Sequence, residues 1–193
     1  MYKINIPNAD TLIVSFAGNA KLFGGISRFE FVNFLKQFDK ISKHFYLDEH
    51  SDLYHKGIGS TSSIDETVAY LKNEIKHYKR VLFLGNSGGG YAAILFGSLL
   101  DVNTVIAFVP QTIRHNDVVD EKYRDISIFI NNKTKYYLYG DTSVNAEDCH
   151  HISHCERIAH HPNVFLTKKN GLHLKEMRDS GELLDILKRI INC

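Results

Sequence analysis

The chain has 193 residues, 44% hydrophobic and 23% charged, with a formal net charge of +1. That is the balance of one soluble globular unit with a single sizeable core, taken as one domain over residues 1–193. The near-neutral charge argues against nucleic acid or an anionic membrane as partner, and no apolar run reaches the roughly 18 residues of a membrane span. Three cysteines, Cys149, Cys155 and Cys193, are too few and too odd in number for a disulfide framework. Residues Met1 to Asp10 lack a charged-then-apolar leader pattern. Both observations lead to the expectation of a cytoplasmic protein.

Short apolar runs alternate with amphipathic stretches, the pattern of a mostly parallel sheet with helices on both faces. The first strand is predicted at Thr11–Phe16, followed by a small-residue loop, Ala17–Gly25, and a helix over Arg28–Phe38. A second buried strand spans Lys43–Leu47 and ends in Asp48. The polar stretch from there to Gly59 reads as a solvated loop, with Asp48 and Tyr54 as alternative site-rim residues. Ser63 and Glu66 form a capping-box pattern that opens a helix to about His77. Arg80–Leu84 is the most strand-like run. A glycine-rich turn, Gly85–Gly90, and a small-residue helix, Tyr91–Leu100, come after it. Further strands are predicted at Val102–Val109, Lys135–Tyr139 and Asn163–Thr167, and helices at Asp148–Ala159 and Ser180–Ile191. The sum is an α/β architecture with about six strands. Ligand sites in such sheets lie at the carboxyl ends of the strands.

The turn after the strongest strand reads Gly85-Asn86-Ser87-Gly88-Gly89, a G-x-S-x-G pattern between a strand and a helix. In that setting the chain reverses sharply and the Ser87 hydroxyl projects above the sheet. The flanking positions must be small, and Gly85 and Gly89 are. The Gly88 N–H, at the start of a helix, is placed to receive an oxyanion. A phosphate-binding alternative fails, because no Lys-Ser or Lys-Thr pair follows and the G-x-G-x-x-G spacing is wrong.

With these residues the sequence resembles the α/β-hydrolase superfamily over nearly its whole length. The resemblance implies a triad in the chain order serine, acid, histidine, with the acid after a later strand and the histidine before the last helix. That order points to Ser87 as nucleophile and His173 as general base. Asp141 or Asp148 is the orienting acid, with Asp141 favoured for its place at the strand end. Neither acid has the usual spacing from the strand-ending glycine. The second oxyanion donor is expected from the loop after the first core strand, at Gly18 or Asn19. The region Gln111–Thr134 is too short for a large lid. It implies an open site for a bulky or glycan-linked ester, with no cofactor. The expected reaction is ester hydrolysis through a Ser87 acyl-enzyme, with acyltransferase and thioesterase chemistry as close variants. Two other classes compete. One is a metal-binding module or metal-dependent hydrolase built on Cys149-His150-His151-Ile152-Ser153-His154-Cys155. There a helix would pair His150 with His154, and His151 with Cys155, although no H-E-x-x-H motif is present. The other is a non-catalytic α/β-hydrolase-fold binding module.

Overall fold

The computed structural model describes residues 1–18, 29–114 and 120–192; Asn19, His115 and Cys193 lie outside them. Among the described residues the strands are β1 (Tyr2–Ile4), β2 (Thr11–Phe16), β3 (Ser42–Tyr46), β4 (Arg80–Asn86), β5 (Thr104–Phe108), β6 (Lys135–Asp141) and β7 (Val164–Lys169). The helices are α1 (Val32–Leu35), α2 (Ile64–Ile75), α3 (Gly88–Leu99), α4 (Ser153–Glu156), α5 (Leu174–Asp179) and α6 (Glu182–Ile191). One sheet holds all seven strands in the order β1-β3-β2-β4-β5-β6-β7. Every pairing is parallel except β1 with β3, which is antiparallel. The seventh strand, absent from the expected six, is this short half-exposed edge strand.

Each central strand sends alternate residues to opposite faces, and both faces are covered. Leu12, Val14 and Phe16 of β2 join Val81 and Phe83 of β4, Val105 and Ala107 of β5, and the apolar side of α3. Ile13, Leu82, Leu84, Ile106 and Phe108 point the other way, against Leu35, Met177, Leu183 and Leu187 from α1, α5 and α6. Two-sided burial is why these strands read as unbroken apolar runs rather than alternating ones. The helix α3 is buried nearly all round, so it sits in the core rather than on it.

Three expected helices change form, and of the one expected over Arg28–Phe38 only Val32–Leu35 is helical among the described residues. The stretch predicted as one helix over Asp148–Ala159 is turns up to Ile152, and only Ser153–Glu156 is helical. The C-terminal helix is preceded by a separate short one, with Gly181 at φ 88° between them. The capping box at Ser63 is half as expected. Its Oγ accepts from the Glu66 N–H at 3.2 Å, while the Glu66 carboxylate reaches back to Ser62 instead.

Candidate active site

Ser87 occupies the turn between β4 and α3 with φ 55° and ψ −120°, a backbone state that costs a non-glycine residue on the order of 1–3 kcal/mol. The surroundings hold it there. The Ser87 N–H donates to the Phe108 carbonyl at the end of β5, at 2.9 Å, and the Ser87 carbonyl accepts from Tyr91 N–H at 3.1 Å. A Cβ on Gly85 would stand inside the Gly89 carbonyl, and one on Gly89 inside the Phe16 carbonyl. Those two glycines are therefore required by close backbone approach, as the motif demands. The helix begins at Gly88, directly after the serine and earlier than its apolar pattern suggested, so its first free N–H groups lie beside the Ser87 hydroxyl.

The ring that meets Ser87 is His150. Ser87 Oγ lies 2.7 Å from His150 Nε2, and His150 Nδ1 lies 3.1 Å from an Asp148 carboxylate oxygen. With Nδ1–H donating to Asp148, Nε2 is left as the acceptor for the serine O–H. The same Asp148 oxygen accepts the His150 backbone N–H at 2.8 Å, and this bond, aided by the imidazole, holds the carboxyl below its usual range. The arrangement follows from the turns that replaced the predicted helix. Asp148 N–H bonds Asn145 O and His151 N–H bonds Asp148 O, which swings residue 150 toward the end of β4.

The expected partner, His173, stands elsewhere. It caps α5 with its ring exposed, and no hydrogen bond joins it to Ser87 among the described residues. Its chain position is as anticipated, between β7 and the last helices, but the ring does not turn inward. Asp141, the favoured acid, contacts neither histidine ring by hydrogen bond among the described residues. It is buried at 4% exposure and accepts four bonds: from the Ser143 N–H and hydroxyl, at 2.8 and 2.7 Å, and from the Gly171 and Leu172 N–H groups, at 3.0 and 2.8 Å. Burial opposes its charge, but these four donors prevail and draw its pKa down to about 2. Asp141 therefore ties the loop before His173 to the end of β6, and Asp148 is the carboxylate beside a ring.

Gly18 lies where the second oxyanion donor was sought. A Cβ built on it would be 3.5 Å from Ser87 Cβ and 2.9 Å from the Asn86 carbonyl. The loop is held from below by Tyr54, whose hydroxyl donates to the Ala17 carbonyl at 2.8 Å. Because the peptide is trans, fixing that carbonyl fixes the Gly18 N–H on the opposite side. Tyr54 is fully buried and Asp48 nearly so, which overturns the reading of residues 48–54 as a solvated loop. The segment folds inward through left-handed backbone at Ser51, Leu53 and Tyr54, and the Asp48 carboxylate accepts the Tyr54 N–H at 3.2 Å. Asn19 falls outside the described residues.

The histidine pairs expected on a metal-binding helix do not form. His154 is buried in α4 with its Nδ1 toward Thr112, whereas His150 lies in the preceding turn. His151 bonds Ser153 at 2.9 Å, and Cys155 is buried, with burial lifting its thiol pKa to about 12. Asp148, Cys149 and His150 do bring one donor atom each within 4.8 Å of one another, the one such group of three or more among the described residues, and it lies beside Ser87. A cleft of about 790 Å³ opens next to them, between Ser51, Leu53, Gln111, Arg114 and Arg157.

Fold and elbow together define the class: this is an α/β-hydrolase fold. Solved structures agree. The chain is similar to an α/β hydrolase enzyme from the metagenome of Mar Chica lagoon sediments in Morocco, at 17% identity and TM-score 0.63, covering 99% of this chain and 95% of that one. It is similar to a mutant capsule O-acetyltransferase of Neisseria meningitidis serogroup A in complex with CoA, at 12% identity and TM-score 0.66, over 92% and 87% of the two chains. An esterase of Pyrococcus furiosus aligns at 16% identity and TM-score 0.58, over 94% and 82%. No protein-family model and no curated protein matches the sequence.

Proposed function

We propose that the protein is a serine acyl-transferring enzyme, an ester hydrolase by default, with Ser87, His150 and Asp148 as its reacting group. The observation that carries this is the 2.7 Å contact between Ser87 Oγ and His150 Nε2, on a strained elbow of the kind that exposes a nucleophile. His150 takes the hydroxyl proton as Ser87 attacks the ester carbonyl. Asp148 holds the imidazole in the correct tautomer and stabilises its charged form. The N–H groups of Gly88 and Gly18 receive the oxyanion. The protonated His150 then gives its proton to the leaving alcohol. A water, deprotonated by the same ring, releases the acid.

The open cleft of about 790 Å³ beside Asp148 suits a bulky or glycan-linked ester better than a small one. It also leaves room for an acceptor other than water. Since a similar structure is an O-acetyltransferase with CoA bound, transfer from a thioester to a sugar hydroxyl is the second reading. His173 is the competing base. It follows the chain order of the resemblance, and its exposed ring comes just after a loop that Asp141 ties to the end of β6.

A panel of acyl esters and thioesters, assayed with wild type, S87A, H150A and H173A, tests the proposal. S87A loses on the order of 10⁴-fold or more in turnover. H150A falls by a comparable factor and H173A stays near wild type. Collapse of H173A with normal turnover by H150A would move the base to His173. Full activity of S87A would end the serine mechanism.

A further inference from the structure

Among the described residues, Glu30 is a carboxyl that faces the Gly18 loop and that the mechanism leaves unused. It is brought by the segment before α1 to the Gly18 loop. Its Oε1 is 3.5 Å from the place a Gly18 Cβ would take, and that same point is 3.5 Å from Ser87 Cβ. The carboxyl faces the Gly18 N–H and the Asn86 side chain, while its Oε2 is buried with no hydrogen-bond partner among the described residues. The segment is anchored by Ser15, whose hydroxyl donates to the Glu30 carbonyl at 3.3 Å. A buried, half-satisfied carboxylate is costly, and a neutral carboxylic acid is much less so.

We propose that Glu30 is a positioning residue that sets whether the Gly18 N–H is available: ionised, its carboxylate competes for that donor and puts negative charge beside the oxyanion; neutral, it leaves the donor to the substrate. The inference rests on Ser87 being the nucleophile and Gly18 an oxyanion donor. Burial, opposed by the Gly18 and Asn86 contacts, lifts the Glu30 pKa to about 7, so the exchange falls in the working range. The proton lost on ionisation goes to solvent.

Other titratable groups of the site among the described residues are His150, Tyr54 and Asp48. Across Ser87 stands His150, whose Nε2 is the proton acceptor for the hydroxyl. Below the loop are Tyr54 and Asp48. The Tyr54 phenol is kept neutral by burial and by the charges of Asp48 and Glu30. Asp48, itself raised by burial, bonds the Tyr54 backbone rather than Gly18. An alkaline loss of reactivity at Ser87 that replacement of Glu30 abolishes therefore belongs to Glu30.

Two measurements on the full chain decide it: the rate at which a fluorophosphonate probe labels Ser87 from pH 5 to 9, and the ¹⁵N–¹H signal of Gly18 over the same range, in wild type, E30Q and E30L. Wild-type labelling is expected to fall above neutrality, and at pH 8 it lies about tenfold below its plateau, as one deprotonation near 7 dictates. Both variants keep their rate there, and E30L serves if E30Q does not fold. The Gly18 signal titrates in wild type and stays flat in the variants. An alkaline fall retained in E30Q or E30L, or a Gly18 signal that does not titrate in wild type, overturns the inference. If Ser87 is never labelled, the nucleophile assignment fails by itself, and the Gly18 titration still decides whether Glu30 controls that donor.

Discussion

Replacing Asp141 and Asp148 separately by Asn distinguishes a carboxylate that holds the fold from one that serves the reaction. In Asp141→Asn the amide oxygen can keep the bonds from Ser143 and Gly171 that one carboxylate oxygen now accepts. The amide nitrogen must then face the Leu172 N–H, which loses its acceptor at 2.8 Å. One charge-assisted bond lost and a buried donor left facing another cost about 2–3 kcal/mol. The pKa gives a similar figure. A carboxyl drawn from 3.8 to about 2 in the folded state, at about 1.4 kcal/mol per unit, contributes about 2 kcal/mol. For 193 residues this lowers the melting temperature by roughly 5–8 °C. The sign with pH follows from the depressed pKa. The contribution is full above 3.8, falls away as pH drops through about 2, and so the gap between wild type and Asp141→Asn closes in acid. Calorimetry at pH 6 and below pH 3 reads this directly. Asp148→Asn is expected to melt within about 1 °C of wild type, because its carboxylate is part-exposed and bonds chiefly its own turn. Its turnover falls by about 10²-fold or more, through loss of the ring's orientation. An Asp141→Asn protein that melts like wild type yet has lost turnover, beside a fully active Asp148→Asn, would refute the division of labour.

Tyr54→Phe removes the hydroxyl that holds the Ala17 carbonyl, and it should cost about 1–2 kcal/mol in denaturant unfolding and about tenfold in turnover through a loosened Gly18 donor. Gly89→Ala sets a methyl against the Phe16 backbone, with an expected loss of 3 kcal/mol or about that in thermal unfolding, since neither strand nor helix can yield. A chelator is expected to leave ester turnover unchanged, whereas recovery only on adding a divalent ion would reassign Asp148, Cys149 and His150 to a metal.

The elbow was legible because its requirements are local. Gly85 meets Gly89 within one strand-turn-helix unit, Phe16 of the adjacent β2 closes on Gly89, and the pattern is spelled out in five consecutive residues. The sheet was legible for a related reason: two-sided burial leaves apolar runs that polar loops delimit. The partner of Ser87 was harder. Eleven histidines offered themselves, and chain order alone selected His173. What brings His150 to the serine is a series of turns over residues 145–151, in a stretch whose spacing fits a helix equally well. Helical periodicity cannot report that a neighbouring strand end has captured the chain before the helix begins. Tyr54 and Asp48 were hidden differently. Their segment is polar in composition, but left-handed backbone at Leu53 and Tyr54 folds it under the Gly18 loop, and side-chain type does not encode that at a non-glycine position. Glu30 gave no signal beyond a charge amid aromatics.

The most direct test is to quench the protein with a chromogenic acyl ester within milliseconds and to map the modified peptide by mass spectrometry. An acyl group is expected on the peptide that carries Ser87, with slow loss or absence of that group in H150A. An acyl group on Cys149 or on a histidine instead, with none on Ser87 at any time point, would contradict it.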